Sequence, residues 1–365
     1  MNHRSLKAML MVNLAAVASL GAGCDMMVTT GEPWSTKDQS MVGDPLASAS
    51  LHVEAMPQSQ TLETGLSDTA LGILRQASTA QYAQLRANAI EGMQFAPEHL
   101  DPLVRRGLVD ENRGVRFVAA MTIGEYRMKD LAHLLEPLLR DESESVQAAA
   151  IYGLKRCGKP VDLSPLATLI LSDDPEVRGN TAMVLGDLDN ASAIPVIERA
   201  VGRGMSRVNA AKIKLVDLQL AEALVKLGVE RQIEAIRAAL FAPAEEGELT
   251  AVACMMCGRL RDERTVPNLV RLARITGDFQ QPAEVRMAAT WGLAHIDPAM
   301  ASIEVPLEYV TSDEYQLRFQ AAMTLGEIGN TGSLTTLSAM MSDENALVQV
   351  AAASAILQIL NPPAS

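Results

Sequence analysis

Asp174-Pro175-Glu176-Val177-Arg178-Gly179-Asn180-Thr181-Ala182-Met183-Val184-Leu185-Gly186 is the stretch that decides the fold. An acidic turn suits the start of a helix and its dipole. Proline is acceptable in a first turn, where no intrahelical N–H bond is lost. Small alanine then lets a neighbouring helix approach. The same order returns along the chain. Val115-Arg116 leads into Ala119-Ala120-Met121-Thr122-Ile123-Gly124, and Val285-Arg286 and Leu317-Arg318 open similar segments. With the first apolar residue set as position 0, Ala falls at +4 or +5 and an aliphatic at +8. The zero positions read as Leu85, Val115, Val146, Val177, Gln219, Leu249, Val285, Leu317 and Val348. Their spacings are 30, 31, 31, 42, 30, 36, 32 and 31 residues. A fixed period of this size is the mark of a repeat architecture.

Composition agrees. The chain has 365 residues and is 48% hydrophobic, but only 3% aromatic. A core of Ala, Leu, Ile, Val and Met favours close-packed helices over a β-sandwich. The 31 Lys and Arg stand against 44 Asp and Glu, a net charge of −13, which excludes a sequence-general nucleic-acid binder.

Each unit reads as helix–turn–helix, and the pattern resembles HEAT-like repeats of the phycobilin-lyase type over residues 68–361. The resemblance implies an all-α, right-handed α-solenoid of about nine repeats. At 8–10 Å between packed helices, these would run on the order of 80 Å. Solenoids of this kind mostly bind other proteins, and a few are enzymes.

Residues 1–23 read as an export signal: Arg4 and Lys7, a short apolar run from Ala8 to Leu20, then Gly21-Ala22-Gly23. Small residues before Cys24 resemble the lipobox of bacterial lipoproteins. That resemblance implies acylation of the Cys24 thiol and attachment to the membrane through the lipid alone. Residues 24–67, rich in Ser, Thr, Gly, Pro, Gln and Met, read as a flexible tether spanning roughly 35 Å. Residues 362–365 are a tail.

Catalytic constellations are sparse. The HEAT-like deoxyhypusine hydroxylases carry His-Glu pairs that hold two irons, and this chain has no His-Glu dipeptide. GxSxG and HExxH are absent as well. Gly153 to Lys159 has P-loop spacing, but Pro160 replaces the magnesium-binding hydroxyl and the segment ends a repeat helix. Cys254-Met255-Met256-Cys257 is a CxxC. Its cysteines fall on core positions +5 and +8, where free Cys acts as a small hydrophobe. The alternative is a redox or metal site, which needs exposed or electropositive sulfurs. Arg86, Arg116, Arg178, Arg286 and Arg318 recur at +1. They read as a ladder tied to the acidic turns, or else as a track for an anion.

Position +6 lies almost opposite the core at 100° per residue, yet it is apolar in most repeats. With +2 it gives a strip of Phe117, Met121, Tyr152, Met183, Met255, Met287, Trp291, Phe319 and Met323. In HEAT-like solenoids these positions line the concave face, and an exposed apolar strip marks a contact site. The competing reading is curvature tight enough to bury the strip. Arg203, Arg207, Lys212 and Lys214 form a secondary basic patch in the long fourth spacing, where a helix longer by about three turns is expected.

The expectation is therefore a non-enzymatic scaffold, lipid-anchored in the bacterial cell envelope. It binds a protein or peptide partner through the concave face and needs no cofactor or metal. The alternatives are a HEAT-type lyase, another enzyme with an unrecognised site, or a CxxC-based redox or metal protein.

Overall fold

The computed structural model describes residues 58–274 and 280–362. Among the described residues every regular element is helical. A long first helix, α1 (Gln58–Ala77), precedes nine inner helices. These are α2 (Ala83–Gly92), α3 (Arg113–Glu125), α4 (Glu144–Arg156), α5 (Pro175–Asp187) and α6 (Ala210–Lys226), then α7 (Gly247–Arg259), α8 (Ala283–Ile296), α9 (Tyr315–Ile328) and α10 (Ala346–Leu360). Shorter α or 3-10 segments run outside them. Helix α1 begins ten residues before the expected boundary at Asp68, inside the stretch read as tether.

Local chemistry sets the ends of the inner helices. The side chains of Asn112, Asp174, Asn209 and Asn345 accept backbone N–H bonds at the N-caps of α3, α5, α6 and α10. Several helices are followed by a left-handed residue at an equivalent place: Arg127, Gly158, Asp189, Gly228, Arg261 and Gly329 all have positive φ. This register corrects one zero position. In α6 the buried residues Val216, Leu220, Ala221 and Leu224 carry the 0, +4, +5 and +8 pattern, and Gly228 falls at +12. The anchor is Val216, not Gln219, and the long spacing is 39 residues.

The recurrent arginines form the ladder. Arg86 donates to both carboxylate oxygens of Asp110 at 2.7 Å and to the carbonyls of Ala80 and Gln81. Arg116 does the same with Asp141, and Arg318 with Asp343. Each aspartate also accepts a backbone N–H two residues ahead, from Asn112, Ser143 and Asn345. At these three turns one bidentate, charge-assisted pair thus fastens a turn to the next. At the long spacing the following turn has Arg203 where the others have the aspartate, and Arg178 donates to the carbonyls of Ser172 and Arg203, with Asp173 of its own turn 3.8 Å away.

The solenoid closes on itself. Each inner helix packs against its neighbours in the chain, and α10 packs against both α1 and α2. Ala70, Leu74 and Ile90 share one apolar cluster with Val350, Ala353 and Leu357. The approach at the seam is close: a Cβ added at Gly92 would collide with Ser354 Oγ. The ends of the repeat array therefore meet, where an open superhelix would hold them far apart.

Closure explains the burial. Every residue of α3 from Gly114 to Glu125 is buried, as are Thr250–Gly258, Val285–His295 and Leu317–Gly326. Helices covered on all faces have no open concave side.

Candidate functional site

The strip residues follow from this geometry. Phe117, Met121, Tyr152, Met255, Met287, Trp291, Phe319 and Met323 are all buried, and Met183 is half-buried. The expected exposed apolar surface is not there. Tight curvature brings the inner faces together, so side chains opposite the outer core enter a second, inner core.

Just beyond the strip runs a belt of charge that the sequence reading missed. With the corrected register, position +10 holds Glu125, Arg156, Asp187, Lys226, Arg259, His295, Glu327 and Gln358. Lys226 Nζ donates to Asp187 at 3.3 Å and lies 3.2 Å from Glu222. Arg259 donates through Nε and Nη2 to both oxygens of Glu222 at 2.8 Å. His295 Nδ1 lies 2.9 Å from Glu327, which also accepts from Gln358 at 2.9 Å. These bonds join neighbouring repeats along the inner side.

Burial and charge set the titration of the belt. Burial alone would raise the Glu222 carboxyl, but Arg259 and Lys226 outweigh it and pull the group down to about 2. Lys226 is held above its ordinary value by Asp187 and Glu222 against the pull of burial. Glu91 behaves in the opposite way. Burial, and then the nearby Glu125, push it well above the usual carboxylate range.

Part of the buried strip borders a small cavity. Met255, Met287, Trp291 and Met323, with Ala288, Gln320, Thr324 and Glu284, line a partly open cavity of about 30 Å³ between α7, α8 and α9. Trp291 stacks on His295, with ring centroids 4.7 Å apart. Trp291 Nε1 and Gln320 Nε2 are buried without a hydrogen-bond partner among the described residues.

The basic patch is dispersed. Arg203 and Arg207 are exposed in the loop before α6, Lys212 is half-buried, and exposed Lys214 pairs with Glu246 at 2.5 Å. Helix α6 has 17 residues against 13 in α5, a gain of about one turn instead of three. Loop takes up the rest of the insertion. Cys254 and Cys257 are fully buried free thiols. Burial raises the Cys254 thiol well above its ordinary value and pushes Cys257 up to about 12, far from a reactive thiolate. Among the described residues no group of three or more metal-ligating side chains gathers. Gly153 to Lys159 ends α4, with Gly158 in the left-handed conformation. Cys24 lies outside the described residues.

A family model of HEAT repeats matches residues 70–155, 100–178, 131–213 and 278–357. No curated protein sequence matches the chain. Among solved structures, the complex of CpcE and CpcF of phycocyanin lyase from Nostoc sp. PCC7120 is similar at 19% identity and a TM-score of 0.36. It covers 68% of this chain and 91% of that one. Human deoxyhypusine hydroxylase in complex with glycerol is similar at 13% identity and a TM-score of 0.35, covering 83% and 99%. An engineered protein is similar at 18% identity and a TM-score of 0.29, covering 70% and 94%.

Proposed function

The chain belongs to the HEAT-repeat family, and on that premise we propose that it is a non-enzymatic scaffold binding a protein or peptide in the bacterial cell envelope. Cys24 is the lipid anchor, and the stretch after it is the tether. The observation that carries the reading is how the buried charges are used. Asp187, Glu222, Lys226 and Arg259 bond one repeat to the next, as do the ladder arginines and their aspartates. Work of this kind stiffens a frame. The turns also present acids to solvent: beside half-buried Asp110, Asp141 and Asp343 stand Glu111, Glu142 and Glu344, each paired with a ladder arginine yet with a side chain more than 80% exposed.

Two experiments test this. Cys24→Ser should release the protein from membranes. Unchanged partition with no acyl mass on Cys24 contradicts the anchor. A photo-crosslinking residue at position 142 or 344 should capture a discrete envelope protein. A reproducible turnover abolished by one point mutation would favour an enzyme of the lyase or another type and overturn the scaffold.

A further inference from the structure

We propose that the cavity between α7, α8 and α9 is a peptide-binding pocket for one aliphatic side chain flanked by basic residues. This rests on reading the chain as a binder of protein or peptide, and it names the chemistry of what is bound. Three features converge. The lining of Met255, Met287, Met323 and the Trp291 ring is apolar and pliable, because methionine has three rotatable bonds and a polarizable sulfur. A pocket of about 30 Å³ takes the end of a side chain, not a cofactor. Two N–H donors on these lining residues, Trp291 Nε1 and Gln320 Nε2, have no acceptor among the described residues. Trp291 is 4% exposed and Gln320 8%. A buried donor without a partner is costly, and an incoming acceptor relieves that cost.

A peptide brings both complements at once: an apolar side chain and, beside it, a main-chain carbonyl. A pure hydrocarbon leaves the donors unpaired. Glu284, in the first turn of α8, adds a charge to these features. It is half-buried at the pocket and makes no ion pair among the described residues. Its carboxylate, in a protein of net charge −13, selects lysine or arginine next to the anchored residue and rejects an acidic neighbour.

The chain has two tryptophans, Trp34 and Trp291. In a ¹⁵N-labelled full chain carrying Trp34→Phe, the single indole N–H resonance therefore reports Trp291 directly. Titration with acetyl-Lys-Leu-Lys amide should move this resonance downfield and saturate at or below about 1 mM, a typical weak single-anchor affinity. Glu-Leu-Glu and Lys-Ala-Lys versions should bind at least tenfold more weakly. Glu284→Lys should remove the preference for lysine flanks without shifting the thermal midpoint. Gln320→Leu should weaken binding about tenfold while the helical circular-dichroism signal stays intact.

An indole resonance unmoved at 10 mM peptide, or moved equally by all three peptides, overturns the pocket. A shift by 2-pentanone but by no peptide also overturns it and assigns the cavity to a small ligand. Capture of a partner at position 142 or 344 does not involve these residues, so the scaffold reading stands or falls separately.

Discussion

At the seam where α10 meets α1 and α2 the contact is apolar: Val350, Ala353 and Leu357 lie in one cluster with Ala70, Leu74 and Ile90. On either side of α6 it is different. Asp187 of α5, Glu222 and Lys226 of α6, and Arg259 of α7 join three helices through buried charge. The core itself divides within α6: Val216, Leu220 and Leu224 pack toward one apolar cluster, Leu215, Leu218 and Ala221 toward another. This is where the repeat period stretches and where Arg178 lacks the bidentate aspartate of the following turn. An interrupted ladder and a split core thus coincide with the densest ion pairing. Charge replaces regular packing where the array is irregular, and its contribution is lost toward acid pH.

The largest predicted effect follows from that difference. Glu222→Gln leaves Lys226 and Arg259 buried with half their counter-charge missing, and should destabilise the fold by about 3–5 kcal/mol in urea unfolding. The wild type should show the same loss on acidification. The folded Glu222 carboxyl sits near 2 against an ordinary 4.5. Its contribution is therefore complete above about pH 4.5 and disappears as pH falls toward 2. A urea midpoint that is flat between pH 5 and pH 2.5 contradicts the charged seam.

Gly92→Ala comes second. Its Cβ meets Ser354 Oγ and Leu74 Cδ2, so closure must loosen by about 1–3 kcal/mol. Ser354→Ala in the same chain should recover part of this. If Gly92→Ala is neutral, α10 does not press on α2 as described.

The smallest effect has the opposite sign. Glu91, beside Gly92, is a carboxyl that burial and Glu125 hold protonated well above the usual range. Its raised value favours folding below the unfolded pKa, and that benefit is lost as pH rises through the folded one. Glu91→Gln keeps the neutral shape. It should leave stability within about 0.5 kcal/mol at pH 5 and raise it at pH 9. Destabilisation at pH 9, measured by the thermal midpoint, would show that Glu91 works as an ionised partner.

Much of this was legible in the chain. The Val-Arg and Ala pattern located most of the inner helices, because each must bury the same face. The +1 arginines identified the ladder, because acidic turns recur at a fixed distance. Closure was harder to read, since a few degrees of tilt per repeat, set by side-chain volumes, separate a ring from an open superhelix. A signal was nonetheless present: Met121, Tyr152, Met255 and Trp291 opposite the alanine face make the inner helices apolar all round, and such helices are buried on both sides. The belt was hidden by the three-residue slip at Gln219. That slip put Val229 where Lys226 belongs and Val225 where Glu222 belongs, breaking the run of charges at its centre. The slip arose because part of the insertion is loop, whose residues have no helical period to follow. The pocket could not be read from sequence at all, since it needs three helices brought together.

Closure is the central claim, and the distance between the two ends of the repeat array tests it most directly. Spin labels at Gln76→Cys and Asn361→Cys, in a Cys24→Ser chain whose remaining cysteines are buried, report that distance by pulsed electron paramagnetic resonance. Helices packed 8–10 Å apart place the labels within about 30 Å of each other. A narrow distribution below that distance is the predicted result. A distribution centred near 70 Å or beyond, as an open run of nine repeats would give, contradicts the ring.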